Sequence, residues 1–230
     1  MYYADVRPAV FVERPNRFIA LCRTQAGEVT AHVKNTGRCK ELLVPGARVW
    51  LSFSENPARK TPCDLIAVDK EGVLFNIDSQ APNRVAEEAL KNRTLRLPGL
   101  TGPYRVERER TFGKSRFDLL VHADGRRCFV EVKGVTLERG GVALFPDAPT
   151  ERGVKHLKEL ACATAAGYDA AVLFVLQFKG AVRFEPNRDM HPAFADALRQ
   201  AADAGVQVMA AECETTPDSL RLTKPVKAVF

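Results

Sequence analysis

Short apolar runs at a strand period open the chain. Residues 17–24, Arg17-Phe-Ile-Ala-Leu-Cys-Arg-Thr, and 47–53, Ala47-Arg-Val-Trp-Leu-Ser-Phe, place apolar side chains at every second position or in near-continuous stretches, the pattern of strands with one or both faces covered. Segments 9–13, 28–33, 63–69 and 73–78 read the same way. Between the runs stand Ala26-Gly27, Asn35-Thr-Gly37, Pro45-Gly46 and Glu71-Gly72, turn dipeptides that link hairpins. Five or six short strands ahead of any helical pattern predict a small β-barrel, OB-like or SH3-like, and periodicity leaves both open. From residue 81 the texture changes. A short helix is predicted over 86–92, then a turn-rich connector at 97–103. Strands follow at 104–109, 116–122, 127–137, 170–178 and 206–213. Two helices interrupt them: 150–166, with Val154, Leu157, Leu160, Ala161 and Thr164 on one face and Gly167 as its stop, and 191–204, stopped by Gly205. This order predicts an α/β domain with helices on a mixed sheet. The boundary is placed near residue 80, giving a barrel domain over 1–80 and an α/β domain over 81–230, α+β overall.

Composition narrows the function classes. The 230 residues, 46% hydrophobic and 27% charged, suit one large or two small globular domains and argue against disorder, coiled coil and collagen-like repeats. The longest apolar stretch, Asp169 to Gln177, falls far short of the roughly 18 residues of a membrane span. Met1-Tyr-Tyr-Ala-Asp-Val-Arg7 has neither the basic nor the apolar part of a secretion signal, so a cytoplasmic location and no membrane partner are expected. Six cysteines and four histidines are dispersed without zinc-site spacing, and the cysteines read mainly as small buried hydrophobes. The net charge is +6, and between Arg84 and Arg116 nine basic residues face four acids. Such clustering suits a polyanionic partner, although a solvated face has the same composition.

Candidate chemistry lies in Ser115-Arg-Phe-Asp118-Leu-Leu-Val-His-Ala-Asp-Gly-Arg-Arg-Cys-Phe-Val-Glu131-Val-Lys133. Asp124-Gly125 between two apolar runs predicts a two-residue hairpin that pairs Ala123 with Arg126. The same register sets Asp118 against Glu131, with Cβ atoms roughly 4.5 to 5.5 Å apart on one face, and Phe117, Leu119 and Val121 against Val132, Val130 and Cys128 on the other. Opposed carboxylates need a neutralising charge, and a divalent cation supplies one. Lys133 returns to their face about 6.6 Å further along the strand. Two carboxylates and a lysine suit phosphodiester hydrolysis with Mg²⁺ or Mn²⁺ on Asp118 and Glu131 and Lys133 steadying the developing charge. Glu109, at the end of the preceding strand, is a further candidate ligand. A carboxylate pair at this spacing also fits a retaining glycosidase, but Lys133 has no part in that chemistry.

Asp118 with Glu131-Val-Lys133 resembles the PD-(D/E)xK nuclease signature. The wider set His32-Val-Lys-Asn-Thr-Gly-Arg38, Leu43-Val-Pro-Gly46, Arg59-Lys-Thr61, Pro82-Asn83, Ser115-Arg-Phe-Asp118, Glu131-Val-Lys-Gly-Val-Thr-Leu137, Phe145-Pro-Asp-Ala148, Thr150-Glu-Arg-Gly153 and Lys155-His-Leu-Lys-Glu-Leu160 resembles the sugar fermentation stimulation protein family, in order and over nearly the whole chain. The resemblance implies an N-terminal OB-like barrel, a C-terminal nuclease-like domain, DNA binding and a role in regulating sugar-utilisation genes. It gives Asp118, Glu131 and Lys133 the metal and catalytic roles and sets Glu109 on the upstream acid. Where the family often has Cys-Pro before Asn-Thr-Gly, this chain has Val33-Lys34, which adds a charge. Candidate nucleic-acid contacts are His32, Lys34, Asn35, Arg38, Arg59, Lys60, Arg116, Lys155 and His156. Thr150 or Asp147 is expected to cap the following helix, Lys155, His156 and Glu159 to share a face there, and Trp50 to lie in the core. Two functions follow: a Mg²⁺-dependent DNA nuclease, or a non-catalytic DNA-binding regulator. The oligomeric state is left open, a homodimer included.

Overall fold

The computed structural model describes residues 1–35, 37 and 39–230. Its first strands are β1 (Val6–Asn16), β2 (Ile19–Thr24), β3 (Gly27–His32), β4 (Arg48–Phe53), β5 (Cys63–Lys70) and β6 (Val73–Asn76). They form one sheet in the order β3-β2-β1-β4-β5-β6, and a parallel contact of β3 with β5, Ala31 to Cys63 and His32 to Asp64, closes it into a five-stranded OB barrel. Alternate residues fill the inside, among them Ala9, Phe11, Cys22, Val49, Leu51 and Leu65. Trp50 is buried on the outer side with Ile66 and Ala67, beneath the Arg48 guanidinium, 5.1 Å from the ring centroid. Five of the six cysteines are buried free thiols, and burial pushes those of Cys22 and Cys39 up to about 12.

The second domain runs α1 (Ala81–Lys91), β7 (Arg105–Phe112), β8 (Ser115–Ala123), β9 (Arg126–Val135), β10 (Leu137–Arg139), β11 (Val142–Phe145), α2 (Glu151–Ala165), β12 (Asp169–Leu176), β13 (Arg183–Pro186), α3 (Pro192–Asp203), β14 (Gln207–Thr215) and β15 (Leu220–Val226). Its main sheet has the order β15-β14-β12-β9-β8-β7, parallel where β9, β12 and β14 meet and antiparallel at both edges. Parallel neighbours need helical crossovers, and α2 and α3 supply them. Side chains of α1 pack with Leu119, Val121, Val130 and Val132 on one face. Those of α2 and α3 pack with Phe117, Phe129 and Phe174 on the other. β12 is therefore covered on both faces, which explains its unbroken apolar run. Thr150, not Asp147, caps α2 by accepting from the Gly153 amide at 3.1 Å.

The domains are joined tightly. The barrel core and the α2/α3 core form one continuous cluster. Phe75 stacks on Phe178 with centroids 4.5 Å apart. Asn76 donates from its amide to the Gln177 carbonyl at 2.8 Å, and Gln177 Nε2 donates back to Asn76 Oδ1 at 2.9 Å. Lys70 pairs with Glu138 at 2.8 Å.

Candidate metal-binding site

The predicted hairpin register appears from Ala123–Arg126 to Leu119–Val130, where the ladder stops. On the other side of β8, Arg108 pairs with Leu119 and Arg110 with Phe117, skipping the intervening Glu109 and Asp118. Glu109 has φ +53°, a left-handed conformation that costs a non-glycine residue about 1–2 kcal/mol. At this break the facing of β8 reverses. Leu119, Val121 and Ala123 belong to the α1 core, whereas Phe117 lies with Leu120 and Phe129 in the α2 core. The expectation that Phe117 faces Val132 in one core, with Asp118 and Glu131 as a plain opposed pair, is thus corrected. Asp118 Oδ2 accepts the Val132 amide at 2.8 Å, and Oδ1 accepts from Asn83 Nδ2 of α1 at 2.8 Å. A carboxylate taken out of water requires donors, and here one comes from the backbone of the neighbouring strand.

Glu131 is 3% exposed. Its Oε1 accepts from Lys133 Nζ at 2.6 Å and from His156 Nδ1 of α2. Its Oε2 is buried and has no hydrogen-bond partner among the described residues. Burial works to raise the Glu131 carboxyl, but the His156 hydrogen bond and the charge and hydrogen bond of Lys133 outweigh it and hold the group below the usual range. Asp118 moves the other way, raised first by burial and then by the negative charge of Glu131. An oxygen of Glu131 without a partner among the described residues, beside a second carboxylate that burial raises, suits a hard cation that prefers oxygen ligands. No three His, Cys, Asp or Glu side chains converge on a metal position among the described residues. A cation on Asp118 and Glu131 would thus complete its shell with other oxygens, as Mg²⁺ commonly does with water and phosphate.

The other predicted site residues divide into several groups. Glu109 lies in the middle of β7, not at its end, and pairs at the surface with Arg116 at 3.3 Å, so it stands outside the network around Glu131. Lys155 is exposed and donates to the Lys114 carbonyl at 3.1 Å, setting two lysines beside the turn between β7 and β8. His156, predicted as a nucleic-acid contact, is instead buried within the site. Much of the basic segment is matched by its own acids: Arg105 and Arg110 pair with Glu107, and Arg108 and Lys91 with Glu87. Asn83 and Arg152 fall within motifs of the resemblance but received no site role from the sequence. Asn83 is the third residue of α1, behind a Pro82 that reads locally as a turn, and Arg152 reads as an ordinary exposed residue.

On the barrel, His32, Lys34 and Arg59 converge on the buried Asp64, with His32 Nδ1 at 3.4 Å and Lys34 Nζ at 2.8 Å. Burial opposes the charge of Asp64, but Arg59 and Lys34 outweigh it and hold the carboxyl below its ordinary range. These side chains fasten the barrel where β3 meets β5. Replacing Asp64 with alanine is expected to lower stability by about 1–3 kcal/mol, read as a shift of the urea midpoint. Because the folded carboxyl titrates low, that contribution is present above the unfolded pKa and fades as pH falls through the folded one, so parent and variant should converge in acid. Asn35 donates to the Ile77 carbonyl at 3.0 Å and accepts the Gly37 amide at 2.7 Å, a turn lock at the rim of a cavity of about 180 Å³ that Ser79, Gly134, Thr136 and Asp147 also line. Lys60 is exposed, and Arg38 lies outside the described residues.

Comparison with known proteins adds two family models. Residues 12–77 match the SfsA N-terminal OB domain, and residues 80–219 match the sugar fermentation stimulation protein RE domain. A sugar fermentation stimulation protein homolog of Desulfitobacterium hafniense (strain DSM 10664 / DCB-2) is 50% identical over 220 residues, covering 96% of this chain and 94% of that one. One of Clostridium kluyveri (strain ATCC 8527 / DSM 555 / NBRC 12016 / NCIMB 10680 / K1) is 47% identical over 228 residues, covering 99% and 98%. The solved structure of Pyrococcus furiosus SfsA in complex with Ca²⁺ superimposes with a TM-score of 0.89 at 28% identity, covering 100% of this chain and 98% of that one.

Proposed function

The chain belongs to the sugar fermentation stimulation protein family, and from that premise we propose that it is a divalent-cation-dependent nuclease acting on DNA. The observation that carries the reading is the buried, unpartnered Oε2 of Glu131 beside Asp118, with Lys133 held on the same carboxylate. That the Pyrococcus furiosus relative is described in complex with Ca²⁺ supports a divalent cation as a ligand of this chain. A Mg²⁺ or Mn²⁺ ion at Asp118 and Glu131 would polarise the scissile phosphate and acidify a water. The chain's own part is electrostatic. Asn83 and the Val132 amide fix the Asp118 carboxylate, so that little reorganisation remains at the moment of reaction. Lys133 Nζ lies within the network where it can exchange Glu131 Oε1 for a phosphoryl oxygen and steady the charge that develops there. Lys114, Arg116 and Lys155 form an exposed basic rim at the turn between β7 and β8, suited to the flanking phosphates.

The test is incubation of labelled single- and double-stranded DNA with the full chain in Mg²⁺, Mn²⁺ or EDTA. Product in either metal and none in EDTA is expected. Binding that weakens steeply with salt, without product in any divalent cation, would instead make the protein a non-catalytic DNA-binding regulator. No helix among the described residues is long and apolar enough to cross a membrane.

A further inference from the structure

Glu131 has one oxygen committed and one free, and the commitment is made from outside the strand. His156 reaches it from the second turn of α2 with Nδ1, while Arg152 Nε points at the other ring nitrogen, Nε2, at 3.4 Å. A guanidinium has only donors, so this contact leaves Nδ1 as the ring nitrogen that faces Glu131. The ring is fixed by its edge against Phe117, with centroids 6.0 Å apart, and is 5% exposed. Lys133 donates to the same Oε1, yet its four-carbon stem lets the ammonium move to either oxygen. The imidazole has no such freedom.

We propose that His156 is a positioning residue: held between Arg152 and Phe117, it pins Glu131 Oε1 with Nδ1 and turns Oε2 toward the divalent cation. The inference rests on the metal-site reading above and adds to it the group that orients the ligand. Removing partners of this kind typically weakens metal affinity 10–100-fold.

The experiment uses the full chain and Mn²⁺ alone, followed by titration calorimetry, with thermal melts to confirm that each variant folds. In asparagine the side-chain nitrogen stands as many bonds from Cα as imidazole Nδ1, whereas in glutamine it stands where Nε2 does. His156→Asn is thus expected to bind Mn²⁺ within about threefold of the parent, and His156→Gln and His156→Leu to bind 10–100-fold more weakly. Equal affinity in all three, or a His156→Asn variant as weak as His156→Leu, would overturn the inference. Long-range ¹H–¹⁵N correlation of the unsubstituted protein provides an independent readout. A hydrogen on Nδ1 is expected, and a ring with none there would overturn the inference even if the variants fail to fold. A parent protein that takes up no Mn²⁺ would overturn the metal-site reading itself and the orienting role with it, whatever the tautomer.

Discussion

Alanine in place of Lys133 is expected to slow metal-dependent DNA cleavage by about 10²–10³-fold while leaving cation affinity equal to or tighter than the parent's. The two effects separate because Lys133 donates to Glu131 Oε1 at 2.6 Å and so stands on the same carboxylate as the expected cation. Its ammonium serves the charge that appears on phosphate in the transition state, but in the resting site it repels a second cation. Single-turnover cleavage at saturating Mn²⁺ measures the first effect and a Mn²⁺ titration the second. Equal loss of affinity and rate would make Lys133 a prop for the carboxylates, with no separate part in chemistry. The substitution should also reduce acid tolerance. Glu131 is held below its usual range partly by Lys133, so its contribution to stability is present above the unfolded pKa and disappears as pH falls through the folded one. Without the ammonium that lower limit rises, and acid unfolding should begin at a higher pH than in the parent.

Asp118→Asn is expected to act in opposite directions on stability and function. Burial, and then the charge of Glu131, raise the Asp118 carboxyl, so the folded state holds its proton more tightly than the unfolded chain does. The favourable contribution of such a group is complete below the unfolded pKa and is lost as pH rises through the folded one. At neutral pH the ionised side chain is therefore a burden on the fold. Asparagine removes the charge and keeps an acceptor for the Val132 amide, and rotation of the Asn83 amide restores the second hydrogen bond. A gain of about 1 kcal/mol, or roughly 2–4 °C in Tm for a chain of this size, is expected at pH 7, shrinking to nothing in acid where the parent is already protonated. Cation binding and cleavage should both be lost. A lower Tm at pH 7 would mean that the hydrogen bonds to the charged form outweigh its burial.

The legible parts of this protein are those in which local pattern and global structure agree. Asp124-Gly125 set the register of the central hairpin, and its five pairs form as that turn requires. Gly167 and Gly205 follow the ends of α2 and α3 within two residues. Periodicity left OB and SH3 both open, because barrel closure depends on two parallel pairs between segments about thirty residues apart; the family resemblance was what pointed to the OB barrel. β15 was hidden by the Thr-Lys-Pro within it, and β10, β11 and β13 are too short to show a period. In the site, the residue types of Asp118, Glu131 and Lys133 were legible, but the reversal of β8 was not, since it follows from a side chain taking a backbone donor and from the φ of Glu109. His156 was ambiguous for a different reason. Its neighbours at three- and four-residue spacing suit a solvated helix face equally well, and only the approach of α2 to β9 puts the ring on Glu131.

The reversal in β8 has a consequence for substitution. Phe117 serves one core and Leu119 the other, and Asp118, at the step between them, owes a side chain to neither. A polar or small replacement there empties no packing position. The fold therefore does not depend on the proposed chemistry: a chain changed only at this position would keep the same two cores, the same hairpin and the same basic rim.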